Sequence, residues 1–327
     1  MLKTLMFSNI ICIYKIILSQ NEILLKEILK CLLNKAIIGG VGDFMEIRKI
    51  KASEITETVC RLFMDCNYYI GKDIYCALQK AKESEESETG KNILAQIIEN
   101  DDIAAKERIP LCQDTGMAIL FVKYGDKVVV EDGSFNEAVT EGVRKAYKDG
   151  FLRKSVVDDP VFDRINTKDN TPCIIHTEIV PGDKIEILAG GKGFGSENMS
   201  KIAMLTPSKG IEGVKSFILD TVREAGPNPC PPMVVGVGIG GTFEKAATLA
   251  KKATFRSIDT HNPDSRYASL EDELLAEINK MGFGPAGLGG TTTAIGVNIE
   301  TYPTHIAGMP VAVNICCHAA RHAKAII

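Results

Sequence analysis

Ten cysteines lie along this chain, and four of them stand where side chains do chemistry rather than fill space. Cys112 sits in PLCQDTG, Cys230 in NPCPP, and Cys316 and Cys317 side by side in NICCHAARH. Each lies at the edge of a predicted element, where proline or a change of hydrophobic period exposes the thiol. No pair has C-x-x-C spacing, so neither a zinc ribbon nor a local dithiol redox motif is supported. Three well-separated thiolates on turns suit an iron-sulfur cluster that keeps one iron open for substrate. A nucleophilic cysteine paired with His305, His318 or His322 is the competing reading. Cys60, Cys66 and Cys76 fall inside helical stretches and Cys173 starts a strand, so these read as small core hydrophobes.

Two glycine patterns add possible ligand contacts. Gly236, Gly238 and Gly241 fit G-x-G-x-x-G between a predicted strand and a helix, with Asp259 eighteen residues beyond Gly241, close to where a ribose-binding acid would sit. The same pattern recurs at Gly282, Gly284 and Gly287 with no strand before it, and the chain holds 29 glycines, so chance matches are cheap. Glycines at sharp turns and close backbone contacts account for both matches equally well, and backbone amides holding a small anion or a cluster are the third reading. GGKGFGSEN mixes glycine with Lys192, Ser196, Glu197 and Asn198. Backbone amides beside a cation suit a carboxylate or phosphate, whereas the plain alternative is a surface turn with a solvated lysine.

The elements that must carry these residues follow from periodicity. Ile55, Val59, Leu62, Phe63 and Cys66 recur at helical spacing after Ser53, a suitable N-cap. Helices are expected at 71–88 and 91–107, with the acidic ESEESE run at 83–88 a solvated helix end and turn. MAILFVKY and KVVVE read as strands separated by a hairpin-type turn at Gly125-Asp126, and CIIHTEIV and KIEILAG as strands joined at Pro181-Gly182-Asp183. Ser134 and Glu137 make a capping box for a helix reaching about Tyr147. Further helices are expected at 211–225, along TFEKAATLAKKA and at 269–281, with strands at MVVGVGIGG, TTTAIGVNIE and PVAVNICC. The fold class is α+β, a helical N-terminal part followed by a mixed sheet and helix domain.

Composition narrows the partners. A chain of 327 residues with 45% hydrophobic side chains can bury a large core. Its 38 basic and 42 acidic residues, a net charge of −4 with no basic run, give no reason to expect nucleic acid, so an anionic ligand must be held by a few placed cations. The apolar N-terminal stretch is broken by Lys15 and falls short of the ~20 uninterrupted apolar residues of a spanning helix, so no membrane association is expected. Residues 1–44 are expected to be an extension outside the fold, with Met45 resembling an ordinary start. The cysteine usage suggests a reducing, cytoplasmic compartment.

PLCQDTG, LRKSVVDDP, GGKGFGSEN, NPCPPMVVGVGIGGTFEKA, GFGPAGLGGTTTAIGV and NICCHAARH, in that order, resemble the alpha subunit, or N-terminal catalytic domain, of the iron-sulfur hydro-lyases comprising class I fumarate hydratase and tartrate dehydratase. The resemblance spans about residues 45–322 and implies a 4Fe-4S cluster held by Cys112, Cys230 and one of the tandem cysteines. Cys317 is the choice because it precedes His-Ala, as the family's third ligand does, although Cys316 beside it leaves the assignment open. The resemblance implies further that Gln113 and Asp114 face the substrate, that Arg153 clamps a carboxylate, that the backbone at Gly195 approaches the substrate, and that His305 lies near the site, with Arg321 and His322 closing the last motif in lesser roles. It implies reversible hydration of a C4 dicarboxylate, with fumarate and malate preferred for their place in central metabolism and tartrate as the alternative. A non-catalytic ligand-binding subunit of the same fold is a further alternative. A separate beta subunit is expected to complete the enzyme, within a higher oligomer.

Overall fold

The structure, a computed structural model, describes residues 47–327; the expected extension at 1–44 lies outside the described residues. Strand β1 (Arg48–Ile50) leads into α1 (Ala52–Tyr68), α2 (Lys72–Ser84) and α3 (Glu88–Glu107). The apolar stripe of α1 buries Ile55, Val59, Leu62 and Phe63, because residues three and four apart share one helix face. Ser53 is not its cap: the helix opens one residue earlier, and Asp132 Oδ1 accepts the Ala52 N–H at 2.7 Å.

Both expected strand pairs are rearranged. β2 (Met117–Gly125) does not pair with β3 (Val128–Val130), which instead runs parallel to β1. β4 (Ile174–Val180) and β5 (Ile185–Lys192) are joined at Pro181-Gly182-Asp183 but lie on opposite sides of β2, parallel and antiparallel to it. β10 (Ala323–Ile326) completes the order β10-β5-β2-β4. Alternating hydrophobicity identifies strands without naming their neighbours, and the apolar faces of β2 and β5 find each other by burying Leu120, Val122, Ile185 and Ile187 against α1 and α4 (Phe135–Asp149). Ser134 stands at the N-cap of α4 as expected, but its side chain makes no capping hydrogen bond.

The second sheet has the order β6-β9-β7-β8, from β6 (Lys201–Leu205), β9 (Met309–Cys316), β7 (Met233–Gly240) and β8 (Ala294–Tyr302). One face packs on α6 (Gly210–Ala225) and α8 (Ser265–Asn279) through Val235, Val237, Val313 and Ile315. The other face carries α7 (Phe243–Ala253), reached after the short helical turn α5 (Phe194–Glu197) in the connection from β5 to β6. Sequence reading overlooked β6 and β10, which are short and carry little alternation.

The G-x-G-x-x-G pattern is explained by this packing. A Cβ on Gly236 would lie 2.3 Å from the Ala250 carbonyl oxygen, and one on Gly238 2.1 Å from that of Ala246. These glycines let α7 lie directly on β7, as close helix-strand packing requires. Gly238→Ala is therefore expected to cost at least about 2 kcal/mol through overpacking, measured by urea denaturation, while titration with a nicotinamide dinucleotide should show no binding to the parent chain.

Candidate active site

PLCQDTG connects α3 to β2, and nearly every residue of it is tied down. The Leu111 N–H donates to the Asn67 carbonyl at 2.8 Å, and the Leu111 carbonyl accepts from Asn100 Nδ2 at 2.9 Å. Arg321 Nη2 donates to the Asp114 carbonyl at 2.5 Å. The Thr115 hydroxyl donates to the Arg153 carbonyl at 3.1 Å. The Gly116 carbonyl accepts from the Tyr147 hydroxyl at 2.8 Å and from Asn170 Nδ2 at 3.2 Å. Gly116 has φ +78, and a Cβ there would come within 2.6 Å of the Lys192 backbone; only glycine allows β2 to start against the end of β5. Cys112 and Gln113 are thus presented from a fixed loop, Cys112 half-buried and Gln113 exposed. The Asp114 N–H donates to Cys112 Sγ at 3.4 Å, and the thiol itself lies 3.2 Å from Gln113 Oε1.

Antiparallel pairing decides which other cysteines meet Cys112. β7 begins where β9 ends, with Val234 opposite Cys316. Cys230, just before β7, and Cys317, just after β9, therefore share one end of the sheet. Burial raises the Cys230 thiol pKa, and the charges of Cys317 and Cys112 raise it further, so the three thiols are electrostatic neighbours. Cys316 differs: its strand position turns it into an apolar cluster with Ile74, Leu78 and Val234, leaving it 5% exposed, whereas Cys317 lies beyond the strand and is half-buried. Among the described residues no three His, Cys, Asp or Glu side chains close round a single metal ion. Three cysteines on three separate turns suit a multi-iron cluster, in which each thiolate would bind a different iron rather than converge on one ion.

The charge around them also fits a thiolate-held cluster. Lys192 is fully buried and donates to Ser196 Oγ at 2.9 Å; Glu197 pairs with it at 3.2 Å and also with Lys251. Two lysines on one carboxylate leave net positive charge, and Arg321, 2% exposed, adds another cation with its Nη1 lacking a partner. A buried donor without a partner calls for an explanation, and an anionic group beside it supplies one. The hydrogen bond between the tandem cysteines lowers the Cys316 pKa against burial and raises that of Cys317, while Lys192 and Arg321 act on both thiols in the direction that favours a thiolate. Lys192 is accordingly no solvated surface lysine. Its role was visible in GGKGFGSEN only as a cation among glycines, whereas nothing local marked Lys251, at the end of an amphipathic helix.

The remaining expected residues divide. Arg153 is brought to the site by the Thr115 bond, its side chain exposed and unpaired with any carboxylate among the described residues. At Gly195 an added Cβ would meet nothing within 4 Å, so the space above this backbone is open. Asp114 uses each carboxylate oxygen on a backbone amide, Oδ1 on Gly116 at 3.0 Å and Oδ2 on Phe194 at 2.9 Å, and so fastens the Phe194-Gly195 turn beside Cys112. His305 is not brought in. It precedes β9, whose eight residues separate it from the cysteine end of the sheet by roughly 24 Å at strand rise; its Nδ1 accepts the Ala307 N–H at 3.1 Å. Burial and then the Arg321 charge lower His318 to about 4, so it is neutral near pH 7, and no cysteine-histidine hydrogen bond is formed among the described residues. The thiol-imidazole pair of a nucleophilic cysteine is absent from these residues.

The fold and site together define an α+β protein in which Cys230 feels the charges of Cys317 and Cys112, and Lys192, Lys251 and Arg321 act on the tandem cysteine Cys316. Residues 56–326 match the family model described as fumarate hydratase (Fumerase). The chain is 45% identical over 274 residues to a putative L(+)-tartrate dehydratase subunit alpha of Methanocaldococcus jannaschii, covering 83% of this chain and 96% of that protein. It is 32% identical over 281 residues to the L(+)-tartrate dehydratase subunit alpha of Escherichia coli strain K12, covering 84% and 91%. The chain belongs to the hydro-lyase family of fumarate hydratase and tartrate dehydratase alpha subunits. No helix among the described residues is long and apolar enough to cross a membrane.

Proposed function

We propose that this chain is the alpha subunit of an iron-sulfur hydro-lyase acting on a small C4 dicarboxylate, with L(+)-tartrate the first substrate to test. What supports the reading is that β7 and β9 bring Cys230 and Cys317 to one end of the sheet, that Cys230 feels the charge of Cys112 as well, and that Arg321 and the Lys192-Glu197-Lys251 set supply cations nearby. The relatives named above are tartrate dehydratase alpha subunits, so they favour tartrate over the fumarate and malate preferred from the resemblance; the family model keeps fumarate as the second reading.

Elimination of water from a 2-hydroxy dicarboxylate needs a hydroxyl that can leave, a proton removed from the adjacent carbon, and cations that tolerate the growing charge on the carboxylates. When bound by Cys112, Cys230 and Cys317, a 4Fe-4S cluster supplies Lewis acidity for the hydroxyl through an iron without a protein ligand. Arg153 offers a planar two-pronged donor for one carboxylate. The open space over Gly195 admits substrate where a side chain would stand. Asp114, each oxygen accepting one N–H, keeps lone pairs that orient a substrate hydroxyl, as does the exposed amide of Gln113. His305 has no place in this site within one chain. A beta subunit, implied by the names of the relatives, would supply the proton-removing base and further cations for the carboxylates.

The test is anaerobic reconstitution with iron and sulfide, with and without a co-expressed beta subunit, followed by assays with L(+)-tartrate, fumarate and malate. Cluster absorbance in the single chain and turnover only in the complex are expected. Robust turnover by the single chain overturns the partner requirement, and absence of cluster absorbance overturns the cofactor.

A further inference from the structure

Glu85 stands in the acidic ESEESE run, where a solvated turn is expected, yet it is 2% exposed. Its carboxylate leaves its own helix end and grips the distant glycine loop. Oε1 accepts the Thr291 N–H at 2.8 Å and the Thr291 hydroxyl at 3.2 Å, Oε2 accepts the Thr292 N–H at 2.8 Å, and Oε1 also caps the N–H groups of Glu86 and Ser87. Burial opposes ionisation, but these donors outweigh it and hold the carboxyl down at about 2.

The gripped loop in turn braces the turn bearing Cys230. The Ala286 N–H donates to the Pro231 carbonyl at 2.8 Å, and the Thr293 carbonyl accepts the Met233 N–H at 2.9 Å. Gly287, at φ +74, lies so close to Pro227 that a Cβ would come within 2.2 Å of the proline Cβ. Cys230 itself is held at φ +55, a left-handed conformation that costs energy in a residue with a side chain and persists only where its surroundings impose it. We propose that Glu85 is a positioning residue for Cys230: by clamping the loop from Gly284 to Thr293 it holds the NPCPP turn in the conformation that aims this thiol at Cys112 and Cys317. The inference rests on the cluster reading for its purpose, but its contacts stand without it.

Hydrogen exchange of the metal-free full-length chain tests the clamp directly. In Glu85→Gln, exchange is expected to rise about tenfold or more in 284–293 and at the amides of Cys230 and Met233, and to stay within about twofold in 109–116, because opening is confined to the unit that lost its anchor. Gly290→Ala attacks the same clamp from the other side, since its Cβ would come 2.6 Å from Glu85 Oε1, and should give the same pattern. Loosening of 284–293 with Cys230 and Met233 unchanged, or equal loosening of all three regions, overturns the proposal. In the reconstituted protein, both variants should lose cluster iron to a ferrous chelator severalfold faster than the parent. A parent chain that binds no cluster refutes the proposed function, while the exchange pattern still decides the role of Glu85.

Discussion

Cys317→Ala is expected to abolish cluster absorbance and bring the activity of the reconstituted alpha-beta complex to background, while Cys316→Ala keeps both. Cys112→Ala and Cys230→Ala should behave as Cys317→Ala. Lewis-acid stabilisation of a leaving hydroxyl is worth several kcal/mol, so its loss lowers turnover about a thousandfold or more. Cys316 fills an apolar site with Ile74 and Leu78, and its truncation should cost about 1 kcal/mol of stability through a small cavity. Iron content, visible absorbance and turnover on the four variants make the comparison. Retention of the cluster in Cys317→Ala with its loss in Cys316→Ala reverses the assignment.

The second large effect concerns the buried charges. Glu197→Gln leaves Lys192, fully buried, and Lys251, 11% exposed at its side chain, without their carboxylate, and stranding a buried charge typically costs about 3–5 kcal/mol. Replacing Lys251 by methionine instead preserves the Lys192-Glu197 pair and should cost far less. The effect depends on pH. Burial pushes the Glu197 pKa up, but Lys192 and Lys251 pull it further down, so the folded value lies below the unfolded one. Its contribution is therefore complete above the unfolded pKa of about 4.3 and is lost as pH falls through the lower folded value. Urea melts of parent and Glu197→Gln between pH 3 and 7 should converge toward the acid end; a constant difference across that range contradicts the assignment of the charge network.

Much of the candidate site was legible because its residue types are chemically distinctive. Cys112, Cys230, Cys316 and Cys317 stood out by occupying turns beside proline or at strand ends, and the helices and strands that flank them showed their apolar periodicity. Glu85 was invisible because a carboxylate in an acidic run looks solvated, and the donors that bury it come from the loop at 291–292, more than two hundred residues away. Asp114 could be seen as a site residue, but not that each of its oxygens takes a backbone N–H.

By itself the sequence determined the α+β class, the family and a short set of candidate thiols, since periodicity and residue type are local properties. The tertiary structure alone decided the neighbours. It set β2 between β4 and β5, turned an apparent dinucleotide fingerprint into the bed for α7, and brought Cys230 and Cys317 to one end of the second sheet. The physical reason is that strand pairing is chosen by the burial of long-range faces and by backbone hydrogen bonds that any residue can make, so nothing local to Cys230 or Cys317 says that they share a sheet end until β7 and β9 are paired.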